Sequence, residues 1–109
     1  MIRMGYANCT VTASNNGVSC NPDPVPVSRA TQNGVEWTFT SPGYTFTGIT
    51  LGSNPGDFGN PVISTNAAGR SVMTVSDTVS DLGDYSYTLL YTTPQGGTGR
   101  HDPTIRNNP

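Results

Sequence analysis

Apolar and polar residues alternate along much of this chain with a period of two, the spacing of a strand that buries one face. The clearest run is Val35-Glu36-Trp37-Thr38-Phe39-Thr40, with Val35, Trp37 and Phe39 on one face and Glu36, Thr38 and Thr40 on the other. Asn33-Gly34 marks a turn before it, and Ser41-Pro42-Gly43 ends it. Tyr6 to Ala13 alternates in the same way, and Gly17 to Cys20 returns after the turn signal Ser14-Asn15-Asn16-Gly17. Tyr44 to Leu51, Ser71 to Val75 and Tyr85 to Thr92 are further strands, the last with Tyr85, Tyr87, Leu89 and Tyr91 on one face. Val62-Ile63 reads as a short edge strand and Pro103-Thr104-Ile105 as a last one. Three prolines at alternate positions in Asn21 to Val27 cannot donate to a central ladder, so that segment is an edge or a bridge. Between these runs lie a long polar loop over 52–61, an acidic connection over 77–84 and a glycine-rich turn from Pro94 to Gly99. No window has helical periodicity. The pattern predicts an all-β chain, a single antiparallel sandwich domain over 1–109 with seven to nine short strands. Polar ends with few core anchors, 1–8 and 100–109, are expected to be extended arms.

Composition narrows what such a domain can do. Thr, Ser, Asn and Gly supply 49 of the 109 residues, there are five arginines and one histidine, and lysine is absent. A net charge of −2 with scattered arginines makes no phosphate-neutralising surface, so nucleic acid is a poor partner. Zero lysine excludes Schiff-base chemistry, a P-loop and Lys–Asn isopeptide cross-links. No 18-residue apolar run spans a membrane. The first residues carry no 7–15-residue apolar stretch, so no cleaved secretory signal is read there. The compartment stays open between surface exposure by a non-standard route and the cytoplasm. Asn8-Cys9-Thr10 fits the N-glycosylation triplet, which has meaning only in a eukaryotic secretory pathway.

Cys9 and Cys20 flank the first turn. A four-residue loop over 13–16 would set Thr12 against Gly17, Val11 against Val18 and Cys9 against Cys20, close enough for a disulfide. The other reading is two reduced cysteines, one of them buried. Their spacing, with one distant histidine, is not a zinc pattern.

Asp81-Leu82-Gly83-Asp84-Tyr85-Ser86-Tyr87 resembles the entry to strand F of immunoglobulin-like domains. That likeness implies a Greek-key sandwich, with Tyr85 as the corner tyrosine, Trp37 as the buried strand-C tryptophan, and Tyr87 where those domains place their second cysteine. With Tyr87 there, the usual inter-sheet disulfide cannot form. The G-x-Y-x-Y phrase with Val-x-Trp upstream is also similar to cupredoxin sandwiches. A wider likeness runs from Asn21-Pro22-Asp23 through Gly43-Tyr44-Thr45-Phe46-Thr47-Gly48-Ile49, Thr74-Val75-Ser76-Asp77 and Gly83-Asp84-Tyr85-Ser86-Tyr87 to His101-Asp102-Pro103-Thr104-Ile105. In these phrases the chain resembles the small bacterial proteins grouped as the DP-EP family, single β-sandwich domains of about this length. That resemblance implies a fold and no activity. The cysteine pair and the missing lysines are not features it explains.

The candidate chemistry is thin. Blue copper needs two histidines and a cysteine, and the chain has one histidine. A Ser/His/Asp triad could draw only on His101, beside Asp102 and Arg100, where Asp102-Pro103 more simply opens the last strand. Acid–base catalysis needs one carboxylate desolvated against another, which a polar connection does not provide. Hard-oxygen runs that could take calcium are Asp77, Asp81 and Asp84, and Asn54, Asp57 and Asn60 in the long loop, though neither has the EF-hand spacing. Tyr44 and Phe58, with the 52–61 loop, could stack against a sugar or dock a subunit. No cofactor is implied. The sequence therefore points to a non-catalytic structural or self-associating module that meets other copies of itself or another protein, as in a filament or surface layer. The alternatives are a small-ligand or glycan-binding module and a calcium-stabilised domain.

Overall fold

A computed structural model describes residues 5–14, 17–51 and 55–109. The first four residues of the expected N-terminal arm, the turn pair Asn15-Asn16, and Asn54 of the long loop lie outside them. The described residues form ten strands: β1 (Ala7–Ser14), β2 (Gly17–Asn21), β3 (Val25–Ser28), β4 (Gly34–Phe39), β5 (Thr45–Leu51), β6 (Val62–Thr65), β7 (Ser71–Ser76), β8 (Gly83–Thr92), β9 (Thr98–His101) and β10 (Thr104–Asn108), with one 3₁₀ turn over Pro55–Asp57. They make two sheets, ordered β2-β1-β4-β7-β6 and β3-β10-β8-β5, with β9 also paired to β8. The all-β sandwich is as the alternation requires.

Two expectations about it change. The sheets are mixed, not antiparallel throughout, because β1 runs parallel to β4 and β10 parallel to β3. Nor is 100–109 an arm. Its residues build the end of β9 and the whole of β10, which lies between β3 and β8, and Ile105 is fully buried. Ala7 and Asn8 likewise belong to β1, an interior strand of the first sheet. Polarity misled here because β10 exposes Arg106 while turning Ile105 and Asn107 inward.

The core is the sum of the inward faces. Cys9 and Val11 of β1, Val25 and Val27 of β3, Val35, Trp37 and Phe39 of β4, Met73 and Val75 of β7, and Tyr87, Leu89 and Tyr91 of β8 are all buried. Phe39 sits among aromatic rings, with centroids 4.4 Å from Phe46 and 5.7 Å from Tyr91. In β5 the inward positions change parity, from Phe46 to the half-buried Ile49 and Leu51. A register shift between Phe46 and Gly48 supplies the extra residue this needs.

Strand β8 organises the second sheet. Its first half pairs with β10 and its second half with β9, so β9 and β10 act as one strand broken at Asp102-Pro103. Pro103 has no N–H to give a ladder, but its carbonyl accepts the Tyr87 amide at 3.1 Å. Gly99 of β9 lies under the Tyr91 ring, leaving no room for a side chain at that position.

Candidate functional site

Trp37 and Tyr87 join the two sheets. Trp37 points inward from β4 of the first sheet, Tyr87 from β8 of the second, and the indole Nε1–H donates to the Tyr87 hydroxyl at 2.8 Å. The rings are tilted at 5.2 Å. Where an immunoglobulin domain places a disulfide beside its tryptophan, this chain places a hydrogen bond. Burial, first, and then the neighbouring cysteines push the Tyr87 phenol well above its usual range, so it stays protonated.

The cysteines extend this contact and do not form the disulfide considered from sequence: both are free. The reason is register. Ser14 pairs with Gly17 and Val11 with Cys20, two positions away from the four-residue loop, so Cys9 and Cys20 are diagonal neighbours on the inward face. Diagonal positions lie about 7–8 Å apart, beyond the span of a disulfide. The Cys20 thiol nearby lowers Cys9, and the Cys9 thiol, together with burial, raises Cys20. Cys9 Sγ donates to the Pro22 carbonyl at 3.5 Å.

A second polar cluster closes the other end of the sandwich. Asp57, Asp77 and Asn107 are 5%, 1% and 2% exposed. Asn107 Nδ2 donates to the Asp81 carbonyl at 3.0 Å, and makes longer bonds to Asp77 Oδ1 at 3.4 Å and Asp57 Oδ2 at 3.5 Å. Asp57 also accepts the Asp81 amide and the Thr78 hydroxyl, and Asp77 Oδ1 accepts the Val79 amide, holding Val79 at a φ of +53°. Tyr85 completes the end, its hydroxyl donating to the carbonyls of Asp81 and Leu82, the geometry of a tyrosine corner.

Of the candidate calcium residues, Asn54 lies outside the described residues, and the others are spread over different settings. Asp77, Asp81 and Asp84 do not converge: Asp77 is buried, while Asp84 stands exposed on β8 in a two-pronged ion pair with Arg106 of β10, at 2.8 and 3.0 Å. Asp57 shares the Asn107 amide with Asp77. Among the described residues no three His, Cys, Asp or Glu side chains gather as a metal-binding group. The residue that sequence reasoning missed is Asn107. A polar side chain two positions from Ile105, on the same inward face, was the available signal.

The Arg106 guanidinium bonded to Asp84 holds that carboxyl below its usual range. A lowered folded pKa stabilises above the unfolded value of about 3.9 and is lost as pH falls through the folded value. The Tm difference between the wild type and Arg106→Ala should therefore narrow between about pH 5 and about pH 2, and narrow also at high salt.

Tyr44 and Phe58 share no surface. Tyr44 packs on Phe39 and Tyr91, and Phe58 lies edge-on to Tyr85 at 6.0 Å, with Tyr85 and Tyr91 near opposite ends of β8. Six residues of strand place those ends about 20 Å apart. His101 ends β9, and its neighbour Asp102 accepts the Thr88 hydroxyl at 2.6 Å.

Tyr6 and Leu82 are singly exposed, and two adjacent exposed apolar residues stand on β6, the outer strand of the first sheet. All four of its residues face solvent, with Val62 63% and Ile63 40% exposed. Its ladder to β7 uses one edge, and among the described residues the other has no strand beside it. In comparisons with known proteins, no family model matches the chain, and no curated protein matches it.

Proposed function

We propose that the protein is a non-catalytic, self-associating β-sandwich module, a subunit that meets a second copy of itself along β6. The carrying observation is that open edge. Natural edges are blunted by charges, proline or bulges, because an open row of N–H and C=O groups is a template for another strand. On β6 only Pro61, at its entry, plays that part. No charged residue occurs from Phe58 to Gly69. Val62, Ile63 and Thr65 are β-branched, which suits strand pairing, and two copies in antiparallel register set no like charges together. Such a pair would join two five-stranded sheets into one of ten. The likeness to DP-EP proteins is part of this proposal and adds no activity to it.

Light scattering across a concentration series provides the test. Wild-type protein should associate as concentration rises, and Ile63→Lys should weaken association at least tenfold, about 1.4 kcal/mol, with its Tm unchanged. A chain that stays monomeric at every concentration overturns self-association. Association unchanged by Ile63→Lys removes β6 as its site.

A further inference from the structure

We propose that Cys9 and Cys20 form a two-coordinate site for a soft, thiophilic d¹⁰ cation, with Cu(I) as its representative. The two cysteines stand at diagonal positions on adjacent strands, on the same inward face, with Cys9 in the core and Cys20 packed against it. Their diagonal placement, too wide for a disulfide, suits an ion held between them. Two metal–thiolate bonds of about 2.3 Å span about 4.6 Å between sulfurs, whereas a disulfide needs about 2.05 Å. The chain supplies little else to a metal here. No third Cys, His or carboxylate joins the pair among the described residues, which disfavours tetrahedral zinc and leaves ions satisfied by two soft ligands.

The surroundings fit charged sulfurs. The Tyr87 hydroxyl lies close enough to both cysteines to influence them, and they to influence it. The Tyr87 oxygen already accepts the Trp37 indole N–H at 2.8 Å, which directs its own proton away from Trp37 and leaves it to be offered to a sulfur. Donors of this kind orient metal ligands and stabilise thiolates. Access is also graded: Cys9 is 1% exposed, while Cys20 is half-buried on the outer strand β2. An ion would enter past Cys20 and end shielded by the core. Binding exchanges two S–H bonds for two Cu–S bonds and releases two protons, with no change in oxidation state. Apparent affinity should therefore rise with pH.

The test is an anaerobic titration of the full chain with Cu(I) against a competing Cu(I) chelator of known affinity. Copper–thiolate absorbance and Trp37 fluorescence are followed together. One ion per chain, a fluorescence change at the same equivalence point and a raised Tm are expected. Cys20→Ser and Cys20→Ala, at the more exposed position, should fold like the wild type and lose the ion, whereas Met73→Leu should keep it. Retention of the ion by both Cys20 variants, one ion shared by two chains, or failure of the wild type to compete with the chelator would overturn the proposal. None of these outcomes depends on association through β6.

Discussion

Tyr87→Phe will destabilise the domain by about 1–3 kcal/mol, although it removes a single oxygen. The loss follows from what stays behind: the Trp37 indole N–H, fully buried, keeps its desolvation and loses its acceptor at 2.8 Å. At about 4 °C per kcal/mol for a domain of this size, thermal unfolding should fall by roughly 4–12 °C. Trp37→Ala should cost more, about 3–5 kcal/mol, because it also empties the largest fully buried side chain in the core. Trp37→Phe combined with Tyr87→Phe separates hydrogen bond from packing. The double variant should be less destabilised than the two single losses added together, since each removes the same bond. Strict additivity, measured by denaturant unfolding, would show that the bond adds nothing to the contact between the sheets.

Asn107→Leu should be comparably damaging at the other end, costing about 1.5–3 kcal/mol. Leucine nearly preserves the volume, so the cost is chemical. The Asn107 amide lies between two buried carboxylates, donating to Asp57, to Asp77 and to the Asp81 carbonyl. Without it, Asp57 and Asp77 each lose one donor, in a buried setting where a lost hydrogen bond is expensive. Asp77→Asn keeps the shape, removes one of two like charges and can still accept the Val79 amide, so it should cost less than half as much. The Asn107→Leu loss should shrink in an Asp77→Asn background. An equal loss in both backgrounds, read by urea unfolding, would make Asn107 a packing residue only.

What the sequence disclosed and what it hid divide along local and non-local lines. Val35 to Phe39 lies within β4, which stops one residue short of Thr40, and Tyr85 to Thr92 lies within β8, because period-two alternation reports burial of a single strand directly. Val62-Ile63 stands at a sheet edge, as its brevity suggested. Pairing was harder. The Cys9–Cys20 register hung on loop length, and a shift of two residues keeps each side chain on its face while changing its partner, so the alternation could not reveal it. The Asp57–Asp77–Asn107 cluster was less legible still. It draws one residue from each of two acidic runs and a third from a strand read as an arm, and spacing along a chain says nothing about such meetings. Strand β9 was divided between a turn ending at Gly99 and an arm beginning at Arg100, because glycine hides a strand whose packing comes from the Tyr91 ring of its neighbour.

The parallel pairing of β3 with β10 has a consequence for synthesis. Val25 lies opposite Ile105, some 80 residues further along the chain. At about 5–20 residues per second, a ribosome releases β3 roughly 4–16 s before its partner. Throughout that interval Val25 and Val27 belong to a strand with no neighbour on that side. Pro24 and Pro26 occupy alternate positions across this waiting strand. A strand that cannot offer every amide is a poor template for a neighbouring nascent chain. The prolines that mark a sheet edge in the finished protein thus also guard it on the polysome.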